Sequence, residues 1–135
     1  MRHFNPPKVV IIAGPPGSGK GTQAELLAEK LGLYHLDTSK IIGKKLEDIK
    51  EDDFVRVEGK KYFLLEEKKI KESGGLMSPP LIAFWIKEKI KELVKEGEGI
   101  ITSASPRTLY EGKEIIPLLK RLYGAKNIKI ILLKL

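Results

Sequence analysis

The chain has no cysteine, one tryptophan and two methionines in 135 residues. The missing cysteine excludes disulfide scaffolds, zinc–cysteine sites and thiol catalysis. Long uncharged apolar runs are also lacking. Val9 to Pro16 and Ile128 to Leu133, the latter broken by Lys129, fall far short of the roughly 18 to 20 residues a membrane helix needs. Met1 to Pro7 does not read as a signal peptide, because the apolar run behind it breaks at Gly14. No internal repeat, low-complexity tract or long linker is present. These absences leave a soluble, cytoplasmic protein with no membrane association as the reading.

What the chain has instead is charge, glycine and short apolar segments. Its net charge of +7 raises nucleic-acid binding as a candidate. The lysines, however, alternate with glutamates, as in Lys87, Glu88, Lys89, Lys91 and Glu92, which reads as a solvated helix face. The aromatics are expected to be buried, so nucleic-acid binding has the weakest support. With 41% hydrophobic residues, a chain of this length forms one domain that buries about two thirds of its unfolded surface.

Lys8 to Ala13 (KVVIIA) is a β-branched run ending at Gly14, the pattern of a strand buried on both faces. A helix is predicted over Gly21 to Leu31, where Ala24, Leu27, Ala28 and Leu31 recur at helical spacing before a Gly32 C-cap. Tyr34 to Leu36 reads as a short strand, Ile41 to Ile49 as a helix, and Glu58-Gly59 as the turn of a hairpin. The clearest helix is Pro79 to Glu96, with Ser78 as N-cap and one apolar stripe through Ile82, Trp85, Ile86, Ile90, Leu93 and Val94. A strand over Ile100 to Thr102 follows. Thr108 and Glu111 have the capping-box spacing of a helix that runs to Tyr123, with a kink at Pro117, and Ile128 to Leu135 is the last strand. Strand and helix alternating in this way imply an α/β fold, a parallel sheet with helices on both faces. Ligands bind such sheets at the carboxyl ends of the strands.

At one of those ends lies Gly14-Pro15-Pro16-Gly17-Ser18-Gly19-Lys20-Gly21-Thr22. Gly14, Gly19 and Lys20 fit the phosphate-binding pattern G-x-x-x-x-G-K between a strand and a helix. Backbone amides that converge on an anion need unusual dihedrals and no Cβ in the way, and the following helix adds its positive end. Lys20 supplies a cation and Thr22 a hydroxyl for phosphate oxygens. Gly21 stands where most such loops carry the hydroxyl that meets magnesium.

Gly14 to Gly32 resembles the opening of adenylate kinases and their nucleoside monophosphate kinase relatives. Tyr34-His35-Leu36-Asp37-Thr38-Ser39, Gly75-Leu76-Met77 and Pro106-Arg107-Thr108 match further along, in order. The resemblance implies a P-loop nucleotide kinase core over residues 1–135, with 38–75 as the monophosphate-binding subdomain. It also implies transfer of the γ-phosphoryl of ATP, carried with Mg²⁺, to AMP. Gly17, Ser18, Gly19, Lys20, Gly21 and Thr22 would hold the ATP phosphates, with Lys20 neutralising charge during transfer. Thr38, Leu76 and Met77 would lie at the AMP site, Arg107 would clamp the AMP phosphate with its fork of donors, and Glu111 would face the base. No protein metal-ligand set is assigned.

The departures from the family pattern are specific. Gly43 replaces an arginine, with Lys44 and Lys45 nearby, and Ser103-Ala104-Ser105 replaces Asp-Gly-Phe. Glu111 replaces a glutamine, and a carboxylate suits the two donors of guanine better than adenine; its other reading is as the closing residue of the capping box. The resemblance further implies that the chain stops before the arginine-bearing lid and the last strand. The expectation is then weak or absent transfer, a bare apolar edge that invites self-association, and a monomer only for a full-length chain. The alternatives are a non-catalytic nucleotide-binding module or a kinase accepting GMP or CMP.

Overall fold

Residues 8–103 and 109–134 are described in a computed structural model of the protein. The apolar run becomes β1 (Val9–Ala13), and the glycine turn leads into α1 (Lys20–Leu31), β2 (Tyr34–His35) and α2 (Thr38–Lys45). A hairpin of β3 (Phe54–Val57) and β4 (Lys60–Phe63) passes into α3 (Leu64–Glu72). Then follow α4 (Pro79–Lys95), β5 (Ile100–Thr102), α5 (Leu109–Tyr123) and β6 (Ile128–Leu132). No helix among the described residues is long and apolar enough to cross a membrane.

Four strands form one parallel sheet in the order β2-β5-β1-β6. β1 lies inside the sheet, with Val9 opposite Ile100 on one side and Ile128 on the other. Successive strand side chains point to opposite faces, and the two faces have different partners. Val9, Ile11 and Ile100 pack with Trp85, Ile86, Ile90, Ile115 and Leu119 of α4 and α5. Val10, Ile12 and Ile101 pack with Ala24, Leu27 and Ala28 of α1. Helices therefore cover both faces, as the alternation of elements implies. Each valine, leucine or isoleucine among them contributes about 1.5–3 kcal/mol when fully buried. Lys87 and Glu114 tie α4 to α5 at 2.8 Å, but both are partly exposed, so the pair adds under about 1 kcal/mol.

Glycine governs how closely the chain approaches itself at both ends of β1. A Cβ on Gly99 would lie 2.7 Å from the Lys8 carbonyl oxygen and 2.6 Å from Leu33 Cδ2. At the other end, a Cβ on Gly14 would lie 2.7 Å from Ser18 Oγ and 3.1 Å from the Leu133 carbonyl oxygen. Only hydrogen fits at Gly99, where the obstacle is backbone, and at Gly14 a methyl would displace the Ser18 hydroxyl and crowd the Leu133 carbonyl.

Several boundaries differ from the pattern reading. α2 starts at Thr38 rather than Ile41, because the Asp37 carboxylate accepts a 2.9 Å bond from Ser39 N–H and caps the helix early. The helix ends before Ile49; Leu46 is its C-cap and Asp48 turns to φ 53°. α3 lacks an apolar stripe and was not anticipated; only Leu64 and Glu67 of it are buried. β6 ends at Leu132 rather than Leu135, and α5 continues through Pro117. Leu31, assigned to the buried face of α1, is 55% exposed. The Glu58-Gly59 turn forms as expected, with φ of 49° and 82°, the pair of positive values of a type I′ hairpin turn.

The aromatics are not all buried. Tyr62 and Val57 pack inward from the hairpin, whereas Phe54 and Phe63 are exposed on its other face with ring centroids 5.9 Å apart. A two-stranded sheet has one face to spare, and a cross-strand aromatic pair stabilises it locally.

Candidate functional site

The turn after β1 occupies the carboxyl end of an inner strand, the position where parallel sheets bind ligands. Gly17 and Gly19 adopt φ of 83° and 84°, left-handed values that cost an L-residue about 1–2 kcal/mol. Ser18 N–H donates to the Pro15 carbonyl at 3.1 Å and closes the turn. Gly19 is the N-cap of α1 and offers no side chain, so no side chain takes up the amides of the first turn, and no acidic residue stands there. A helix start of this kind favours an anion.

Lys20 reaches back across the loop and donates from Nζ to the Gly14 carbonyl at 3.1 Å. The ammonium is thereby held over the turn rather than extended into solvent. Beneath the loop, Ser18 Oγ is buried and has no hydrogen-bond partner among the described residues. Glycines where a Cβ would clash or strain, an unpaired hydroxyl and a cation at the rim together make a cradle that suits phosphate oxygens. Gly17, Gly21 and Thr22 are exposed beside it.

A second set of residues assembles about a small cavity of about 80 Å³, lined by Leu76, Met77 and Glu111 together with Ile42, Lys71 and Ile82. Three residues singled out from sequence thus meet in one place. Met77 is buried, Leu76 is 65% exposed and Glu111 is buried. Thr38 is fully buried at the start of α2 and is not part of this lining. Lys44 and Lys45, next to Gly43, line a different cavity with Tyr34 and Trp85. Ser103 is half-buried just past β5. Arg107 and Thr108 lie outside the described residues. Among the described residues, no group of three or more histidine or acidic side chains is placed to hold a metal ion.

The sequence reading missed Glu67. This carboxylate is buried and accepts two bonds of 2.8 Å, from Ser78 N–H and from the Ser78 hydroxyl. Ser78 therefore precedes α4 as expected but makes no side-chain cap; its hydroxyl faces α3 instead. The clamp fixes the segment beside Met77. No local signal separates Glu67 from its exposed neighbour Glu66, because the partner is eleven residues away.

A parallel sheet flanked by helices, with a glycine-and-lysine phosphate loop at the end of an inner strand, defines a P-loop α/β domain. The chain belongs to the AAA domain family, whose model matches residues 13–115. It is similar to an adenylate kinase of Elusimicrobium minutum, with 30% identity over 90% of this chain and 52% of the relative. An adenylate kinase of Emericella nidulans is 31% identical over 90% of this chain and 44% of its own length. A GTP:AMP phosphotransferase of Plasmodium falciparum is 32% identical over 90% of this chain and 51% of its own length. The chain spans about half the length of these curated relatives.

Proposed function

We propose that the protein is a nucleoside monophosphate kinase of the adenylate kinase type, which passes the terminal phosphoryl group of ATP to AMP and yields two ADP. The observation that carries this reading is the Gly14–Lys20 cradle at the carboxyl end of β1, in a chain about 30% identical to proteins named adenylate kinase over 90% of its length. Magnesium enters with the triphosphate, as part of the substrate.

In this reading the amides from Gly17 to Thr22 receive the ATP phosphates. The Lys20 ammonium leaves the Gly14 carbonyl for the oxygens between which charge shifts during transfer. Positioning and charge neutralisation carry such a reaction, so no general base is needed. Leu76, Met77 and Glu111 form the wall against the acceptor base, Thr38 supports that side through α2, and Arg107 holds the acceptor phosphate. The protein works on soluble nucleotides in the cytoplasm.

Thermal unfolding with ATP, ADP or a bisubstrate dinucleotide tests the loop. At one hundred times Kd a ligand stabilises by about 2.7 kcal/mol, and Lys20→Ala is expected to abolish the gain. Equal responses from wild type and Lys20→Ala refute the assignment. A coupled assay of ADP formation with AMP, GMP, CMP and UMP as acceptors then identifies the substrate. Binding through Lys20 without ADP formation selects the second reading, a non-catalytic nucleotide-binding module, which the glycine at 43 and the serine at 103 favour.

A further inference from the structure

Away from the phosphate loop and from the small cavity at Leu76 and Met77 lies a larger one of about 470 Å³, enclosed by β2, α2 and α4. Its volume falls within the range of sites for small organic ligands. The inner surface is apolar and aromatic: Trp85 is almost fully buried, Ile41 is half-buried, and Tyr34 presents an exposed ring. Lys89 Nζ sits 5.1 Å from the Tyr34 ring centroid and 3.6 Å from Glu92. The same helix α2 contributes Ile41 here and Ile42 to the small cavity, so it forms a wall common to both.

The charges around this cavity do not cancel. The lining carries the three carboxylates of Asp37, Glu88 and Glu92 against four lysines, a formal surplus of one positive charge; Glu92 pairs with Lys89, and Asp37 keeps its charge while accepting from the Ser39 amide. Lys40, Lys44 and Lys45 form no ion pair among the described residues and are the cations open to a ligand. An ammonium on a flexible stem acts as a movable point charge for an anion, while Tyr34 and Trp85 offer flat apolar surface.

From this juxtaposition we propose that the cavity is a second ligand site, distinct from the nucleotide machinery, for a small planar organic anion: a ring lies against Tyr34 and Trp85 and its phosphate or carboxylate meets Lys40, Lys44 and Lys45. Trp85 is the only tryptophan in the chain, so its fluorescence reports occupancy directly.

Phenyl phosphate is the probe, with inorganic phosphate and phenol as its two halves. The expected result is a saturable change in Trp85 emission with Kd on the order of 1 mM, as about eleven non-hydrogen atoms at ordinary efficiency give. Each half alone is expected to bind at least tenfold more weakly. The double substitution Lys44→Gln and Lys45→Gln, both on exposed side chains, should weaken the probe at least fivefold without moving the thermal midpoint, and Lys20→Ala should leave its Kd within twofold. The proposal is overturned by an absent or non-saturable signal, by inorganic phosphate binding as well as the probe, by indifference to the double lysine variant, or by loss of the signal in Lys20→Ala.

Discussion

Replacing Glu67 with alanine is expected to cost about 2–4 kcal/mol, well above the effect of an ordinary surface glutamate. Glu67 is 5% exposed, and its carboxylate accepts two 2.8 Å bonds from one residue, Ser78. Removal leaves the Ser78 N–H without its acceptor, at about 1–3 kcal/mol. The half-buried hydroxyl can turn to water and loses less, and the missing methylene contributes about 0.8 kcal/mol. Glu67→Gln keeps an oxygen for the N–H and places an NH₂ group that the hydroxyl can accept from. Only the charge assistance is lost there, about 1 kcal/mol. The order of urea midpoints should therefore be wild type, Glu67→Gln, Glu67→Ala, with unchanged slopes. A double-mutant cycle with Ser78→Ala should give a coupling of about 1–2 kcal/mol. A coupling below about 0.5 kcal/mol, or a glutamine variant as unstable as the alanine one, would refute the clamp.

Other perturbations have equally definite outcomes. Gly19→Ala meets no atom within 4 Å but keeps φ at 84°, so a strain of about 1–2 kcal/mol is expected, and Gly19→Asn should recover part of it because asparagine tolerates that region. Gly14→Ala fails for a different reason, collision with Ser18 and Leu133; it should lose about 1–3 kcal/mol in urea unfolding and nucleotide binding with it. Burial, reinforced by Glu98, pushes the Tyr123 phenol up to about 12, and its hydroxyl donates to the Glu98 carbonyl at 2.7 Å. The folded state thus holds this proton more tightly than the unfolded one. Its stabilisation is complete below the unfolded value near 10 and is lost as pH rises toward 12, by about 2 kcal/mol relative to Tyr123→Phe in paired pH titrations of stability. Ile130 and Leu132 on β6 are each 68% exposed. Ile130→Lys should raise the concentration at which light scattering appears without lowering the unfolding midpoint, and an unchanged threshold would show that this edge does not self-associate.

The parts of the molecule legible in the sequence are those fixed by neighbours along the chain. The β-branched run, the glycine loop and the Pro79 helix each carry their own signal, and each appears within a residue or two of its expected bounds. The hairpin was readable because Gly59 takes a positive φ without steric cost, whereas nothing in the residue type of Glu58 announces its φ of 49°. What escaped depends on distant partners. α3 has too little apolar periodicity to announce itself; its two buried residues, Leu64 and Glu67, are held by tertiary packing and by Ser78. Leu76, Met77 and Glu111 were singled out by resemblance, but the cavity that joins them to Ile42 and Lys71 follows from how α2, α3 and α5 meet. Lys44 and Lys45 went to the other side of α2 for the same reason.

The uniform apolarity of β1 leaves a question of alignment that its two flanking glycines answer. A strand with a polar face cannot slide by one residue without turning that face inward, whereas Val9, Val10, Ile11 and Ile12 are interchangeable in that respect. Gly99 and Gly14 act as steric stops: a slip would bring a side chain against the Lys8 carbonyl, where there is room only for hydrogen, or crowd the Leu133 carbonyl. The two stops therefore set the phase of the sheet, and with it the height at which Lys20 stands above its floor.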